Sequence, residues 1–401
     1  MKKEMAKSEK IYLDYSATTP IDPRVADEMS RFMATNFGNP SSIHSFGRDA
    51  KKVLEESREV CKDFIKAENS SEIIFTSGGS ESDNLAIRGL IAKMRSKPHM
   101  ITSAIEHKAV LSTVKELEEK GLIEASYLKV DKHGQISMDI LKREIRHNTV
   151  LISIMYANNE IGSLQPIREI GKYLEKLNKE RERAAFPKIY LHTDAVQAFP
   201  HLNCDVRHLH VDMMSVSAHK FYGPKGVGFL YVKKGTPLAT MITGGSQEFG
   251  KRAGTENMIS IVGMAKAIKI LEKEQNKDVE KIQKLKDKLT EGILEIAGTH
   301  LSGHTKERIP SLASFLFDGI EGESVLISLD LEGIAVSTGS ACTSGTLSPS
   351  HVLMACGYTH VEAQGNIRFS LGRFTKDADI KRVLEVLPGI VERLREMSPL
   401  Y

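Results

Sequence analysis

Apolar positions arrive in short, nearly unbroken runs. EIIFT (Glu72–Thr76), HMITSAI (His99–Ile105), VLISIM (Val150–Met155), KIYLHTD (Lys188–Asp194), MMSVS (Met213–Ser217) and VGFLYV (Val227–Val232) lack the alternation of a strand with one wet face. Such runs suit strands covered on both faces, as in a mostly parallel α/β sheet. Stretches with helical spacing lie between many of them. Ala109–Lys120 places Val110, Leu111, Val114 and Leu117 on one face. Asn178–Pro187 (NKERERAAFP) is charged and runs into proline, which predicts an exposed loop.

Beyond about residue 262 the pattern changes. Lys273–Ile296 predicts a long helix rich in lysine and glutamate. SLASFLF and SVLISLD follow as strand-like runs, then a Gly/Ser-rich loop and a final helix over Asp377–Arg395. This predicts a second, smaller α+β domain built from residues 263–401 with residues 1–19, beside a large domain of residues 20–262. At roughly 150 residues per domain, the 401 residues suit two or three domains.

Composition narrows the function. Net charge is +3 with no extended basic block, so nucleic acid is not an expected partner. The first ten residues, MKKEMAKSEK, contain no apolar core of a signal peptide, and no apolar run approaches the ~18 residues of a membrane span. A cytoplasmic protein is expected. Four cysteines (Cys61, Cys204, Cys342, Cys356) make no disulfide framework, so a special cysteine is expected to be catalytic.

Candidate chemistry clusters where the apolar runs end, the edge that holds ligands in doubly wound sheets. EIIFT is followed by SGGSES and an apolar helix, so Gly78, Gly79 and Ser80 suit a phosphate at a helix N-terminus; a tight turn capped by Ser80 is the plainer alternative. Asp194 ends KIYLHTD, where a carboxylate suits a protonated ring nitrogen or simply caps a loop. Ser217, His219 and Lys220 follow MMSVS. A lysine beside a buried strand suits Schiff-base chemistry, although a lone lysine is usually a surface residue. Cys342 lies in IAVSTGSACTSGTLSPS among small polar residues, a setting for a nucleophile, whereas Cys356 in VLMACGY has an apolar setting. GSQEFGKR begins like a phosphate-binding P-loop, but Arg252 stands where Ser or Thr is required. His201, Cys204, His208 and His210 match no standard zinc spacing and read as solvated side chains.

These blocks resemble the cysteine desulfurases of the NifS/IscS type, in the class V aminotransferase family of fold-type I pyridoxal-phosphate enzymes. The resemblance is carried by YLDYSATTP, FGNPSSIH, FTSGGSESDNLAI, TSAIEHKAVL, YANNEIG, HTDAVQ, SAHKFYGPKGVG, KRAGTEN, GSACTSG and IRFSLGRFT. The direct run into Cys342 resembles the NifS/IscS subgroup rather than the SufS one. The resemblance implies pyridoxal 5'-phosphate as cofactor and Lys220 as its anchor. It implies Asp194 at the ring nitrogen, Gln197 and Asn159 on the ring-oxygen side, and His107 stacked on the ring and assisting proton transfer. Gly79, Ser80, Ser217 and His219 would hold the phosphate, with Thr255 reaching in from the second subunit of a homodimer. Arg368 would clamp the substrate carboxylate, with Asn159 nearby. No metal is implied.

The implied reaction removes sulfur from L-cysteine, gives L-alanine, and leaves a persulfide on Cys342 for sulfur acceptors such as an iron–sulfur scaffold, thiolated tRNA or cofactors. Selenocysteine lyase, another pyridoxal-phosphate reaction on the same fold, and a non-enzymatic assembly platform are the alternatives. Gly79-Ser80 replaces the family's more usual Ala-Thr, and the charged stretch near Lys179–Arg183 is longer than usual. The ending SPLY implies weak docking of a scaffold of the usual type.

Overall fold

The computed structural model describes residues 10–339 and 349–398. A short strand β1 (Ile11–Tyr12) opens the fold. A seven-stranded sheet follows: β2 (Ile73–Thr76), β3 (His99–Ser103), β4 (Glu124–Leu128), β5 (Thr149–Ser153), β6 (Tyr190–Asp194), β7 (Met213–Ser217) and β8 (Gly228–Val232), in the order β2-β8-β7-β6-β5-β3-β4. Only β8 runs antiparallel to its neighbours, so the sheet is mixed but mostly parallel.

The unbroken apolar runs have their cause here. β2, β3, β5, β7 and β8 are buried along their whole length, with one core cluster on each face. The edge strand β4 is only partly buried and carries the mixed sequence EASYL. Because β2 and β7 both run against β8, the C-terminal ends of β2, β3, β5, β6 and β7 all meet one edge of the sheet.

A second core lies around the antiparallel strands β9 (Thr299–Leu301), β10 (Leu312–Phe317) and β12 (Asn366–Ser370) and the helix Asp377–Glu396. The strand β11 (Ile334–Ala335) pairs in parallel with β1, which brings Leu13 into this core. The helix Met258–Leu294, about 56 Å long at 1.5 Å per residue, supplies Met258–Leu271 to the first core and Ile282–Ile293 to the second. No described helix is long and apolar enough to cross a membrane.

Three sequence expectations are corrected. The charged stretch 178–183 is the last part of the helix Ile167–Arg183, not a loop. Its charges face water except Arg181, whose buried guanidinium donates to the carbonyls of Arg146, His147, Thr149 and Pro187. SVLISLD is not a strand but lies in the helix Gly322–Leu331, where Val325 and Leu329 are buried one turn apart while Ile327 and Leu331 are exposed. A short apolar run has no period long enough to separate strand from helix. The long helix begins at Met258, well before Lys273, because its first turns are apolar all round and packed on two sides.

A buried ion pair braces the segment before this helix. Arg58 Nη1 and Nη2 donate to Glu248 Oε2 and Oε1 at 2.7 and 2.9 Å, and both side chains are 2% exposed. Glu248 Oε2 also accepts from the Phe75 amide at 2.8 Å, tying the segment to β2. Glu248→Ala removes the bidentate partner of the buried Arg58 charge and leaves it only Glu55, whose Oε2 lies 3.4 Å from Nε, so it is expected to cost about 3 kcal/mol. Urea unfolding of the single variant checks this, and a loss below about 1 kcal/mol would show that Glu55 and water compensate Arg58.

Candidate active site

The ligand edge of the large sheet encloses a cavity of about 350 Å3. Its walls come from the segments leaving β2 (Gly79, Ser80, Asp83), β3 (His107), β5 (Met155, Asn159), β6 (Val196, Gln197) and β7 (Ser217, His219, Lys220). Ser16 and Ala17 close it beside β1, and Gly339 and Arg368 close it from the second core.

Local geometry explains each position. Gly78 takes φ +146° where β2 turns into the helix Gly79–Ile91, a conformation that side chains disfavour. A Cβ at Gly79 would stand 2.9 Å from Val196 Cγ2, so glycine lets the helix start beside the β6 loop. The first-turn N–H groups of that helix have no carbonyl of their own helix to bond, and they open towards the cavity with Ser80. Gly78, not Ser80, is the N-cap.

Lys220 ends a single helical turn, Ala218–Lys220, immediately after β7. Its Nζ donates to the carbonyls of Ser16 at 2.6 Å and Ala17 at 2.8 Å. Asp194 is buried at the end of β6, where its Oδ1 accepts from the Val196 amide at 2.8 Å. Burial raises its pKa, opposed by His107 and Lys220. His107 caps the helix Lys108–Glu119, its Nδ1 accepting from the Ala109 amide at 3.1 Å, so the neutral ring carries its proton on Nε2. Burial depresses its pKa. Burial, then Lys220, likewise depresses His219 to about 4, and its Nδ1 lies 3.1 Å from Thr18 Oγ1. Gln197 Nε2 donates to the Ser16 carbonyl at 2.9 Å.

Arg368 projects from β12 and is 3% exposed. Nη1 donates to the Asn159 carbonyl and Nη2 to Asp14 Oδ1, both at 2.9 Å, while buried Nε has no hydrogen-bond partner.

The structure therefore brings together Gly79, Ser80, His107, Asn159, Asp194, Gln197, Ser217, His219, Lys220 and Arg368. Thr255 lines a separate cavity of about 240 Å3 with Ser77, Glu248 and Arg252. Cys342 lies outside the described residues. The reading of His201, Cys204, His208 and His210 as solvated is corrected for Cys204, which is buried, its thiol pushed up to about 12, and for His201, which is half-buried, its ring pushed down to about 4 by burial.

Sequence reading missed Ser16, Ala17 and Asp83. Asp83 stands one turn into the helix Gly79–Ile91, on a face that is otherwise apolar. A carboxylate amid Leu85, Ala86 and Ile87 was the available signal.

The chain matches the model of the aminotransferase class-V family over residues 11–383. It is 49% identical over 391 residues to a cysteine desulfurase IscS of Methanosarcina thermophila, covering 97% of this chain and 94% of that protein. It is 46% identical over 398 residues to a cysteine desulfurase IscS of Clostridium botulinum, covering 98% and 97%. Among solved structures, a NifS-like protein superposes with a TM-score of 0.88 at 36% identity, over 96% of this chain and all of that one. The protein SspA, solved in complex with cysteine, gives 0.79 at 35% identity, over 92% of this chain and all of that one.

Taken with the mixed sheet and a lysine-lined cavity at its ligand edge, these matches show that the chain belongs to the aminotransferase class-V family, whose members are pyridoxal-phosphate enzymes.

The residues present fit that cofactor. Asp83, His107 and Asp194 each place one polar atom within 4.8 Å of the others, which puts a carboxylate acceptor for a cationic ring nitrogen beside His107. Two buried carboxyl groups, Asp194 and Asp83, thus stand at one end of the cavity, and a cation bound there would offset the charge that Asp194 carries. Lys220 supplies the amine for the aldehyde, and the start of the helix Gly79–Ile91 supplies a phosphate seat.

Proposed function

We propose that this chain is a cysteine desulfurase that takes sulfur from L-cysteine, releases L-alanine, and carries the sulfur on Cys342. The observation that carries the reading is the position of Gly339, which lines the cavity that holds Lys220, Asp194, His107 and Arg368. Cys342 follows three residues later in the chain, within about 10 Å of reach.

The cofactor, when bound, supplies an electron sink for the charge left at the substrate Cα. The chain's own groups do the rest. The Ser16 and Ala17 carbonyls set the position of Lys220 Nζ, the base that takes the Cα proton and returns a proton for alanine. Asp194 would hold the ring nitrogen, and His107, neutral with its proton on Nε2, would stack on the ring and pass protons. Gly79, Ser80, Ser217 and His219, which line the cavity, would seat the phosphate, and Gln197 and Asn159 would contact the ring-oxygen side. Arg368 receives the cysteine carboxylate with the N–H groups left over after its bonds to the Asn159 carbonyl and Asp14. The Cys342 thiolate then attacks the substrate sulfur: an S–S bond forms, the substrate C–S bond breaks, and its electron pair stays with the carbon skeleton that leaves as alanine. Incubation with L-cysteine tests this. Stoichiometric alanine and an added sulfur on the Cys342 peptide are expected, and alanine without any protein persulfide would exclude the transfer.

The same reading makes the protein a homodimer whose Thr255 completes the neighbour's phosphate site. The separate cavity of Thr255 supports it, as do the exposed side chains of Phe37, Ile43, Phe46 and Phe249. Mixed and re-associated Thr255→Ala and Lys220→Ala variants are expected to regain about a quarter of full activity, since half the dimers are hybrids with one intact site each. No recovery, with hybrids confirmed by native mass spectrometry, would show that Thr255 serves its own subunit. The reading also includes delivery of the persulfide to acceptors such as an iron–sulfur scaffold, and a reducing, cytoplasmic setting. The free, buried thiols of Cys61, Cys204 and Cys356 support that setting.

A further inference from the structure

Behind the cofactor site stands a carboxyl group with no role so far. Asp83 is 1% exposed, lines the cavity, and has an oxygen within 4.8 Å of both an Asp194 oxygen and a His107 nitrogen. Its Oδ1 has no hydrogen-bond partner. The nearest cation candidate is His192, whose Nε2 lies 3.7 Å from Asp83 Oδ1. His192 is committed elsewhere: Nδ1 lies 2.8 Å from Ser153 Oγ and Nε2 3.0 Å from Ser215 Oγ. Burial keeps that ring neutral, with a pKa near 3. The other charged or titratable groups facing Asp83 are Asp194 and Glu106, both acids, while the Ser215 hydroxyl favours the anion.

Two carboxylates cannot both stay ionised so close together out of water. The negative charge of Asp194 is the one that His107, the Val196 amide and Lys220 favour. Asp83 has burial and two acids against its charge. The proton therefore belongs on Asp83.

We propose that Asp83 is a positioning residue that stays protonated and offers its hydroxyl to Asp194, so that the Asp194 carboxylate is held facing the cofactor's ring nitrogen. Asp83 and Asp194 then carry one negative charge between them, matched to one pyridinium charge. A second anion would leave the buried site with an uncompensated charge, and an apolar residue would let the Asp194 carboxylate turn away. This rests on the pyridoxal-phosphate site but on neither Cys342 nor the desulfurase reaction.

Infrared spectroscopy of the holoenzyme tests it without reference to turnover. With aspartate carboxyl carbons labelled with 13C, the spectrum at neutral pH should contain a protonated-carboxyl C=O band that moves with the label, which excludes Glu106 and Glu160. That band should vanish in Asp83→Asn. A wild-type spectrum with no labelled acid band overturns the proposal even if every variant fails to fold, and so does a band that survives in folded Asp83→Asn. Cofactor release, followed by absorbance, gives the second arm. Asp83→Asn keeps a donor for Asp194, whereas Asp83→Ala does not, so release from the alanine variant should be at least about tenfold faster than from the asparagine variant. Equal release rates from two folded variants would make Asp83 a packing residue only.

Discussion

Lys220→Ala is expected to lose both the absorbance of the lysine-bound cofactor and on the order of 10^4-fold in turnover. Two separate functions of one nitrogen are removed. The lysine is the amine that anchors the cofactor, and it is the base placed by the Ser16 and Ala17 carbonyls at 2.6 and 2.8 Å. No other lysine lines the cavity among the described residues, so no neighbour can take over. The fold should persist, because Lys220 ends a single turn at the cavity wall and belongs to no core cluster. Absorbance and circular dichroism of the purified variant check both halves. A variant that keeps the wild-type band and turnover would remove Lys220 from the mechanism.

The second large effect is at the sulfur carrier. Cys342→Ser is expected to keep the cofactor spectrum, accumulate no persulfide, and lose nearly all sulfur transfer. Cys61, Cys204 and Cys356 are poor substitutes: all are buried, and burial pushes each thiol up to about 12, so the attacking thiolate is scarce at neutral pH. A tethered thiolate close to the substrate sulfur also makes the attack effectively intramolecular, worth up to roughly 7–11 kcal/mol when well aligned. A thiol in bulk solvent has no such advantage. Cys356→Ser should therefore keep the activity. Mass spectrometry after brief exposure to L-cysteine decides it: added sulfur on the Cys356 peptide, with the Cys342 peptide unmodified, would reverse the two assignments.

The sequence alone was enough for the α/β class, because strands covered on both faces read as largely apolar runs without alternation, and β2, β3, β5, β7 and β8 are buried along their whole length. It was enough for most of the cavity as well. Residues placed just after such strands have to meet at one sheet edge, and Gly79, Ser80, Asp194, Ser217, His219 and Lys220 do so; His107, Asn159, Gln197 and Arg368 were supplied by the family resemblance, and Arg368 reaches the cavity from β12. Failures came where the signal is non-local. SVLISLD reads as a strand until its partners show a helix, and the charged end of the helix Ile167–Arg183 hides a buried Arg181.

Ser16 and Ala17 hold Lys220 through backbone carbonyls, which any residue type provides, so no side-chain pattern marks them. Asp14 and Arg368 are 354 positions apart and meet only because β1 pairs with β11 and the segment after it reaches β12. Composition and local periodicity dictate which residues are strand, helix and ligand edge, since burial and hydrogen bonding act on neighbours along the chain. Tertiary structure alone decided that Asp83 shares a dry volume with Asp194 and His107 while His192 is held by two serine hydroxyls. Charge balance in a buried site depends on distances between distant segments, and those distances exist only once the sheet is assembled.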